Sequence, residues 1–492
     1  MAFLLMLLCG AAYGACFPPL AVRGLAWVVL APAFVAILPA RPARAAMLGA
    51  VLGGAGACAT VAWLPRTVVA YFGQPWWLGA LLFALVVAVM VLPCYAAVAA
   101  CAAVFARRWR TALPLAVGAA WAAGELARAR LLGGNPWVLF GYTQVGVAPV
   151  VQLADLAGVY GLSFVLAATN VAAAQLWLDG RRALGAGAVA VALVAGTVGY
   201  GAMRLAEVPR ASAAPVPVAV VQGDIDLGAQ WRQDLYGRNL DTYLRLTLDT
   251  LGAAPAALVV WPENAMTFFL ADEPLYREAI ARVLGPFGAT LLAGGPAVRD
   301  RDVFTNAAFT MAPDGALTAR YDKRRLLPFA ESFPLPRLDL LRRNFGRVRS
   351  FTPGAASAPL PTPAGAAGVL ICNEAFYPED ARARVREGAT LLVNLSNDTW
   401  MGSHQFSTIA FDTSALRAVE QRRWLVRAST SGPSAIVDPF GHVVAAGPLA
   451  ARAVVRGAVA PRTDLSPYAR WGDAFAFACA AATLALLVAA RR

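Results

Sequence analysis

A cysteine, a lysine and a glutamate each stand where a strand-like run ends. Gly368-Val369-Leu370-Ile371-Cys372-Asn373-Glu374 delivers a thiol, followed two residues later by a carboxylate. Ala257-Leu258-Val259-Val260-Trp261-Pro262-Glu263 delivers a glutamate, and Arg320-Tyr321-Asp322-Lys323-Arg324-Arg325 a lysine. A thiolate attacks esters and amides well, but a free thiol is mostly protonated at neutral pH. A carboxylate beside it can accept that proton, the part assigned to Glu263. A lysine ammonium can stabilise the oxyanion of a tetrahedral intermediate, the part assigned to Lys323. Glu374 and Glu331 then orient the lysine or shape the pocket. Taken singly, Cys372 reads equally well as a buried core thiol, and Glu263 and Lys323 as surface charges. Together, at strand ends of one region, they point to a single acyl-transfer site on rigid supports.

The other cysteines support that weighting. Cys9, Cys16, Cys58, Cys94, Cys101 and Cys479 all lie in apolar runs, where cysteine behaves as a small hydrophobe. No Cys-x-x-Cys spacing or His/Cys cluster occurs, so neither a metal nor a cofactor is expected. His404 and His442 are the only histidines, which weakens any Ser-His or Cys-His mechanism.

The elements that position these residues occupy only half of the chain. Of 492 residues, 59% are hydrophobic and 14% charged, against roughly 25% charged in a soluble domain. A net charge of +13 would suit nucleic acid, but the arginines fall in short clusters between apolar runs, as loop anchors at a membrane do. No nucleic-acid motif accompanies them, and no nucleic-acid partner is expected. Eight stretches approach the ~20 residues needed to cross a bilayer: 3–20, 24–40, 46–65, 76–106, 111–130, 158–178, 183–203 and 472–490. The fourth is over-long and holds Pro93, which predicts a kink, a tilt or a partly interfacial course. Glu125 and Arg128, a turn apart near one end of the fifth, read as an interfacial pair. A cytoplasmic N-terminus puts Arg41/Arg44, Arg107/Arg108/Arg110, Arg181/Arg182 and Arg491/Arg492 inside, as the positive-inside rule requires. Residues from about 209 to 470 then lie outside the cytoplasmic membrane, with one unpaired thiol in an oxidising compartment. The expected organisation is a seven-helix region 1–208, an extracytoplasmic catalytic domain 209–470 and a final span in 471–492.

Within 209–470, strands are predicted at 216–222, 257–261, 290–294, 307–311, 369–372, 390–395 and 434–437. Helices are predicted at 234–251, 275–284, 378–387 and 408–422. The interleaving argues α/β layers. The stretch 333–352, apolar and arginine-rich, reads either as a segment dipping into the headgroup region or as a loop packed on the domain.

The three motifs resemble the Glu-Lys-Cys set of the nitrilase superfamily, through Val-Val-Trp-Pro-Glu263, Tyr-Asp-Lys323-Arg-Arg-Leu-Leu-Pro-Phe-Ala-Glu331 and Ile-Cys372-Asn-Glu374. With the spans, the likeness narrows to the bacterial apolipoprotein N-acyltransferase family. Asn135-Pro-Trp137, Gln222-Gly-Asp-Ile…Trp231, Asn397-Asp-Thr-Trp400, Arg417-Ala-Val-Glu420 and Pro467-Tyr-Ala-Arg470-Trp-Gly-Asp473 extend it over essentially the whole chain. The resemblance implies an α-β-β-α sandwich joined to a multi-span helical domain in the inner membrane, with the sandwich on the periplasmic side. It implies catalytic Glu263, Lys323 and Cys372, with Glu331, Glu374, Trp231, Asn373 and Trp400 binding substrate or supporting the site. It also implies a two-step reaction: Cys372 takes an acyl chain from a membrane phospholipid, and the α-amine of an S-diacylglyceryl cysteine at a lipoprotein N-terminus takes it from the thioester. Asn373 stands where the family commonly has Tyr, Ala330-Glu331-Ser332 replaces its Gly-Glu-Tyr, and Ser431-Gly432 its Asn-x-Gly. The segment between Trp400 and Gln405 is shortened. Those departures keep two other readings open: a membrane-tethered amidase passing the acyl group to water, and a non-catalytic lipid-binding paralogue.

Overall fold

A computed structural model describes residues 1–207, 214–225, 233–300, 303–328, 330–332, 351–356 and 358–492. Trp231 and nearly all of 333–352 lie outside the described residues. The chain divides into two compact units. One comprises Met1–Val68, Gln74–Val208 and Ser466–Arg492, the other Val69–Gly73 and Pro209–Leu465.

The first unit is helical. Among the described residues, four stretches are long and apolar enough to cross a membrane: Pro42–Val61, Trp76–Phe105, Ala154–Leu205 and Ala474–Arg491. Ala154–Leu205 comprises two helices, Ala154–Asp179 and Leu184–Leu205, separated by the turn Gly180–Ala183. Within Trp76–Phe105 the residues Val87–Val91 widen into a π-helical turn just ahead of Pro93. Proline has no N–H to donate and its ring crowds the preceding turn, so the wider turn lets the helix continue past it.

The stretch expected to form a second continuous span does not. It breaks into a 3-10 turn, Arg23–Trp27, and a seven-residue helix, Ala31–Ile37. At ~1.5 Å per residue seven residues cannot cross a bilayer. The break survives in apolar surroundings because Asn170 serves both sides of it. Its amide donates to Ala26 O at 2.9 Å and its carbonyl accepts Leu30 N–H at 2.7 Å, so irregular backbone is satisfied by protein rather than water. Glu125 and Arg128 are also placed differently from the interfacial pair expected, for both are buried. Glu125 accepts from Trp121 Nε1 (3.0 Å) and Phe140 N (2.7 Å), while Arg128 donates to Trp137 O (2.9 Å) and Val138 O (3.2 Å). The charges fasten non-helical backbone to the Leu113–Arg130 helix.

The second unit holds, among the described residues, two six-stranded sheets. In chain order the strands are β1 Val216–Gln222, β2 Leu258–Val260, β3 Thr290–Asp300, β4 Val303–Met311, β5 Leu317–Asp322, β6 Leu360–Thr362, β7 Gly365–Ile371, β8 Leu391–Ser396, β9 Leu425–Ser429, β10 Ala435–Val437, β11 Val443–Ala446 and β12 Ala453–Val459. Sheet one runs β12-β1-β2-β3-β4-β5, sheet two β6-β7-β8-β9-β10-β11. Each has three parallel strands at its centre (β1-β2-β3 and β7-β8-β9) with antiparallel strands outside. Parallel strands covered on both faces need continuous apolar runs, and all six residues of β8 are buried. Val218, Val220, Val260, Leu292, Val369, Ile371, Val393 and Val426 meet between the sheets. Ala219, Val221, Val259 and Leu291 point the other way, against Leu240 and Tyr243 of the Tyr236–Ala253 helix and Ile280 of the Pro274–Leu284 helix. On sheet two, Pro378–Arg386 packs beside β7 and β8 and His404–Gln421 beside β9. The result is the α-β-β-α sandwich.

Candidate active site

Glu263, Lys323 and Cys372 leave their strands by three routes that converge. After β2 the chain passes through Trp261 and Pro262, and the indole Nε1 donates to Thr247 Oγ1 at 3.0 Å. Glu263 follows, and β3 approaches it closely at Gly294. A Cβ on Gly294 would come within 2.7 Å of Glu263 Cα, so only glycine permits that contact. Lys323 directly follows β5, its N–H donating to Asn306 O on β4 at 2.8 Å. Cys372 is the first residue after β7 and opens the 3-10 turn Cys372–Phe376. Its φ is +51°, a left-handed conformation costly for a residue with a side chain and concentrated at functional sites.

The charged side chains form one buried cluster. Lys323 Nζ lies 3.4 Å from Glu263 Oε1 and 2.8 Å from Glu331 Oε2. Asn306 Nδ2 donates to Oε1 of both Glu263 and Glu331, each at 2.7 Å. Glu263 Oε2 accepts Asn397 N–H at 2.9 Å, and Glu331 Oε2 accepts Leu327 N–H at 2.8 Å. Burial raises the Glu263 carboxyl; Lys323 pulls it back and Glu331 pushes it up again, with a net rise. Burial also works against the Lys323 ammonium, but Glu331, Glu263 and Cys372 more than offset it, so the lysine stays charged. Cys372 lies within electrostatic reach of all three charges. Burial pushes its thiol well above the ordinary range, Glu263 adds to the rise, and Lys323 opposes it. Burial thus keeps the thiol neutral, while the ammonium is held between two acids.

Glu374 is not on the lysine. It accepts from Tyr321 Oη (2.7 Å), Ile371 N (2.8 Å), Arg324 N (2.8 Å) and Arg325 N (3.2 Å), with Arg384 Nη2 at 3.7 Å. It therefore ties the cysteine's turn to the backbone just after Lys323, and of the two glutamates only Glu331 touches the ammonium. Asn373 is buried, and its Oδ1 has no polar partner among the described residues. Trp400 lies half-buried in the 3-10 turn Thr399–Met401, three residues beyond Asn397.

Residues 217–463 match the carbon-nitrogen hydrolase family, and residues 9–172 match the apolipoprotein N-acyltransferase N-terminal domain. An apolipoprotein N-acyltransferase of Geobacter metallireducens is 34% identical over 97% of this chain and 93% of its own length. The chain belongs to the apolipoprotein N-acyltransferase family. Similar enzymes from Gloeobacter violaceus and Caulobacter vibrioides are 31% and 33% identical, covering 98% and 75% of this chain and 92% and 71% of theirs. Among solved structures, a carbon-nitrogen hydrolase from Helicobacter pylori aligns at 17% identity with a TM-score of 0.39, over 50% of this chain and 89% of its own.

As a member of that family the chain is a membrane protein and an N-acyltransferase, and the amidase and non-catalytic readings are not favoured. Sequence reasoning did not single out two residues of the candidate site, Asn306 and Asn397. Asn397 falls within the Asn397-Asp-Thr-Trp400 motif, yet it reaches Glu263 through its backbone N–H, which no side-chain pattern announces. Asn306 sits mid-strand on β4, where a buried amide among Ala307, Ala308 and Phe309 was the available signal.

Proposed function

We propose that this acyltransferase moves a fatty acyl chain from a bilayer phospholipid to the α-amine of an S-diacylglyceryl cysteine through a thioester on Cys372. The observation that carries the reading is the buried grouping of one thiol, one ammonium and two carboxylates in a family member. As the Cys372 sulfur attacks the ester carbonyl, its proton moves to Glu263 and an S–C bond forms. Lys323 faces the oxyanion with its positive charge. Collapse of the intermediate breaks the C–O bond, and the proton on Glu263 passes to the lysophospholipid oxygen. In the second half the amine nitrogen attacks the thioester, C–N forms, C–S breaks, and a nitrogen proton returns to sulfur through Glu263. Two half-reactions sharing one covalent intermediate give ping-pong kinetics. Glu331 holds the ammonium, Glu374 holds the cysteine's turn, and Trp231, Asn373 and Trp400 are assigned to substrate binding or support of the site.

The arginine clusters support a catalytic domain 209–470 on the periplasmic side of the inner membrane, flanked by helical regions 1–208 and 471–492. Asp314 is exposed, so Asp314→Cys should react with an impermeant maleimide in intact spheroplasts. Protection there, with labelling only after lysis, would reverse the topology. The chemistry is tested by intact-mass analysis after exposure to phosphatidylethanolamine–phosphatidylglycerol vesicles. The wild type should gain one acyl group and lose it to a diacylglyceryl-cysteinyl peptide. Cys372→Ala should gain none while still accumulating in the membrane. An adduct on Cys372→Ala, or discharge to water at the same rate with and without the amine, would defeat the proposal.

A further inference from the structure

We propose that Asn306 is a positioning residue that decides which oxygen of Glu263 receives the thiol proton. This rests on Glu263 acting as the base. One carboxamide nitrogen gives both its hydrogens to carboxylates, at 2.7 Å to Glu263 Oε1 and 2.7 Å to Glu331 Oε1. The same residue's carbonyl accepts the Lys323 N–H. One residue of β4 thus bridges the two acids through its side chain and holds the backbone of the lysine between them through its main-chain carbonyl.

The consequence lies in the lone pairs. A carboxylate oxygen has two, and those of Glu263 Oε1 face Asn306 Nδ2 and, at 3.4 Å, Lys323 Nζ. Oε2 accepts one hydrogen bond among the described residues, from Asn397 N–H. The vacant acceptor position is therefore on Oε2, and the proton leaving Cys372 as its S–C bond forms goes there. The donated hydrogen bond also favours the ionised form of the base. Two acids brought together around one ammonium would otherwise retain a proton between them, and the shared amide donor supplies the second favourable partner. The carboxamide oxygen of Asn306 has no partner among the described residues, so the side chain acts through its N–H groups alone. Asn306→Asp is accordingly isosteric yet removes both donors and adds a third acid.

The test is the pH profile of Cys372 acylation in full-length protein given phosphatidylethanolamine vesicles, between about pH 5 and pH 8. Peptide-mapped alkylation of Cys372 by iodoacetamide, which needs no lipid, runs in parallel. In Asn306→Ala the acid limb of both profiles should move up by about one pH unit, a tenfold loss of ionised base at a fixed acidic pH. Asn306→Asp should move it further. Loss of rate at every pH with the limb unmoved would mean a merely structural role and overturn the proposal, as would an unaltered profile. An alkylation limb that shifts while the wild type forms no acyl adduct would uphold Asn306's effect on Glu263 and instead sink the acyl-transfer reading.

Discussion

Glu374→Ala tests whether the nucleophile is held in place by a tether between the sheets. Glu374 is fully buried and accepts four hydrogen bonds at 2.7–3.2 Å, two of them from backbone just past Lys323 and one from Ile371 just before Cys372. Truncation strands those donors and leaves the Arg384 guanidinium, also fully buried, without its carboxylate. A buried unsatisfied donor costs about 1–3 kcal/mol, and a buried ion pair broken on one side about 3–5 kcal/mol. Such terms overlap, and water entering the vacated space recovers part of them, so a net loss on the order of 4 kcal/mol is expected. At roughly 2–4 °C per kcal/mol for a domain of this size, Tm should drop by about 10 °C. Glu374→Gln keeps the shape and one acceptor but turns an NH2 toward an N–H donor, and should lose about half as much. Freed from the clamp, the sulfur can shift by ~1 Å against Lys323, enough to slow acylation about 100-fold. The assays are thermal unfolding in detergent and the rate of Cys372 acylation well below the transition. If Glu374→Ala melts within about 2 °C of wild type and acylates at an unchanged rate, the tether carries neither stability nor alignment.

Three further outcomes follow from the geometry. Lys323→Met leaves Glu263 and Glu331 facing one another without their ammonium, and thioester formation should fall by about 100- to 1,000-fold while the protein stays folded; retention of more than a tenth of the activity would remove the oxyanion role. Burial leaves the Glu263 carboxyl above the ordinary glutamate value, and it must be ionised to act as base. Acyl-enzyme formation should therefore rise with pH through a midpoint above ~4.3, shared with the coupled thiol; a flat acid side in stopped-time mass analysis would exclude that base. Asn170→Ala strands Ala26 O and Leu30 N–H in apolar surroundings and should cost about 2–4 kcal/mol in detergent unfolding; an unchanged Tm would mean the break is satisfied in another way.

What the sequence made legible follows from how local each signal was. The run 216–222 became β1 with its predicted bounds because a strand buried on the core side needs only its own apolar residues. The helix at His404–Gln421 was expected four residues late, although Ser403, whose Oγ accepts Phe406 N–H at 3.3 Å, was the capping signal for its start. β9 went unread because Arg427 interrupts it. Its guanidinium is answered by Asp398 at 2.7 Å, 29 residues away, and such distant partners leave no periodic trace. The same reason hid the broken segment at Arg23–Ile37, repaired by Asn170 from far along the chain. Strand ends announced Glu263, Lys323 and Cys372 because each follows a strand-like run, apolar before Glu263 and Cys372 and alternating before Lys323. Which glutamate would reach the lysine was not announced, since Glu331 and Glu374 differ only in where the folded loops carry them.

The order in which the sandwich closes bears on when its chemistry can begin. Glu263 and Lys323 come from one sheet and Cys372 from the other, and β1 finds its antiparallel neighbour only in β12, more than two hundred residues later. A chain still emerging from the ribosome, or one clipped before residue 453, carries the sulfur but lacks the strand that borders β1, itself the neighbour of the strand leading to Glu263.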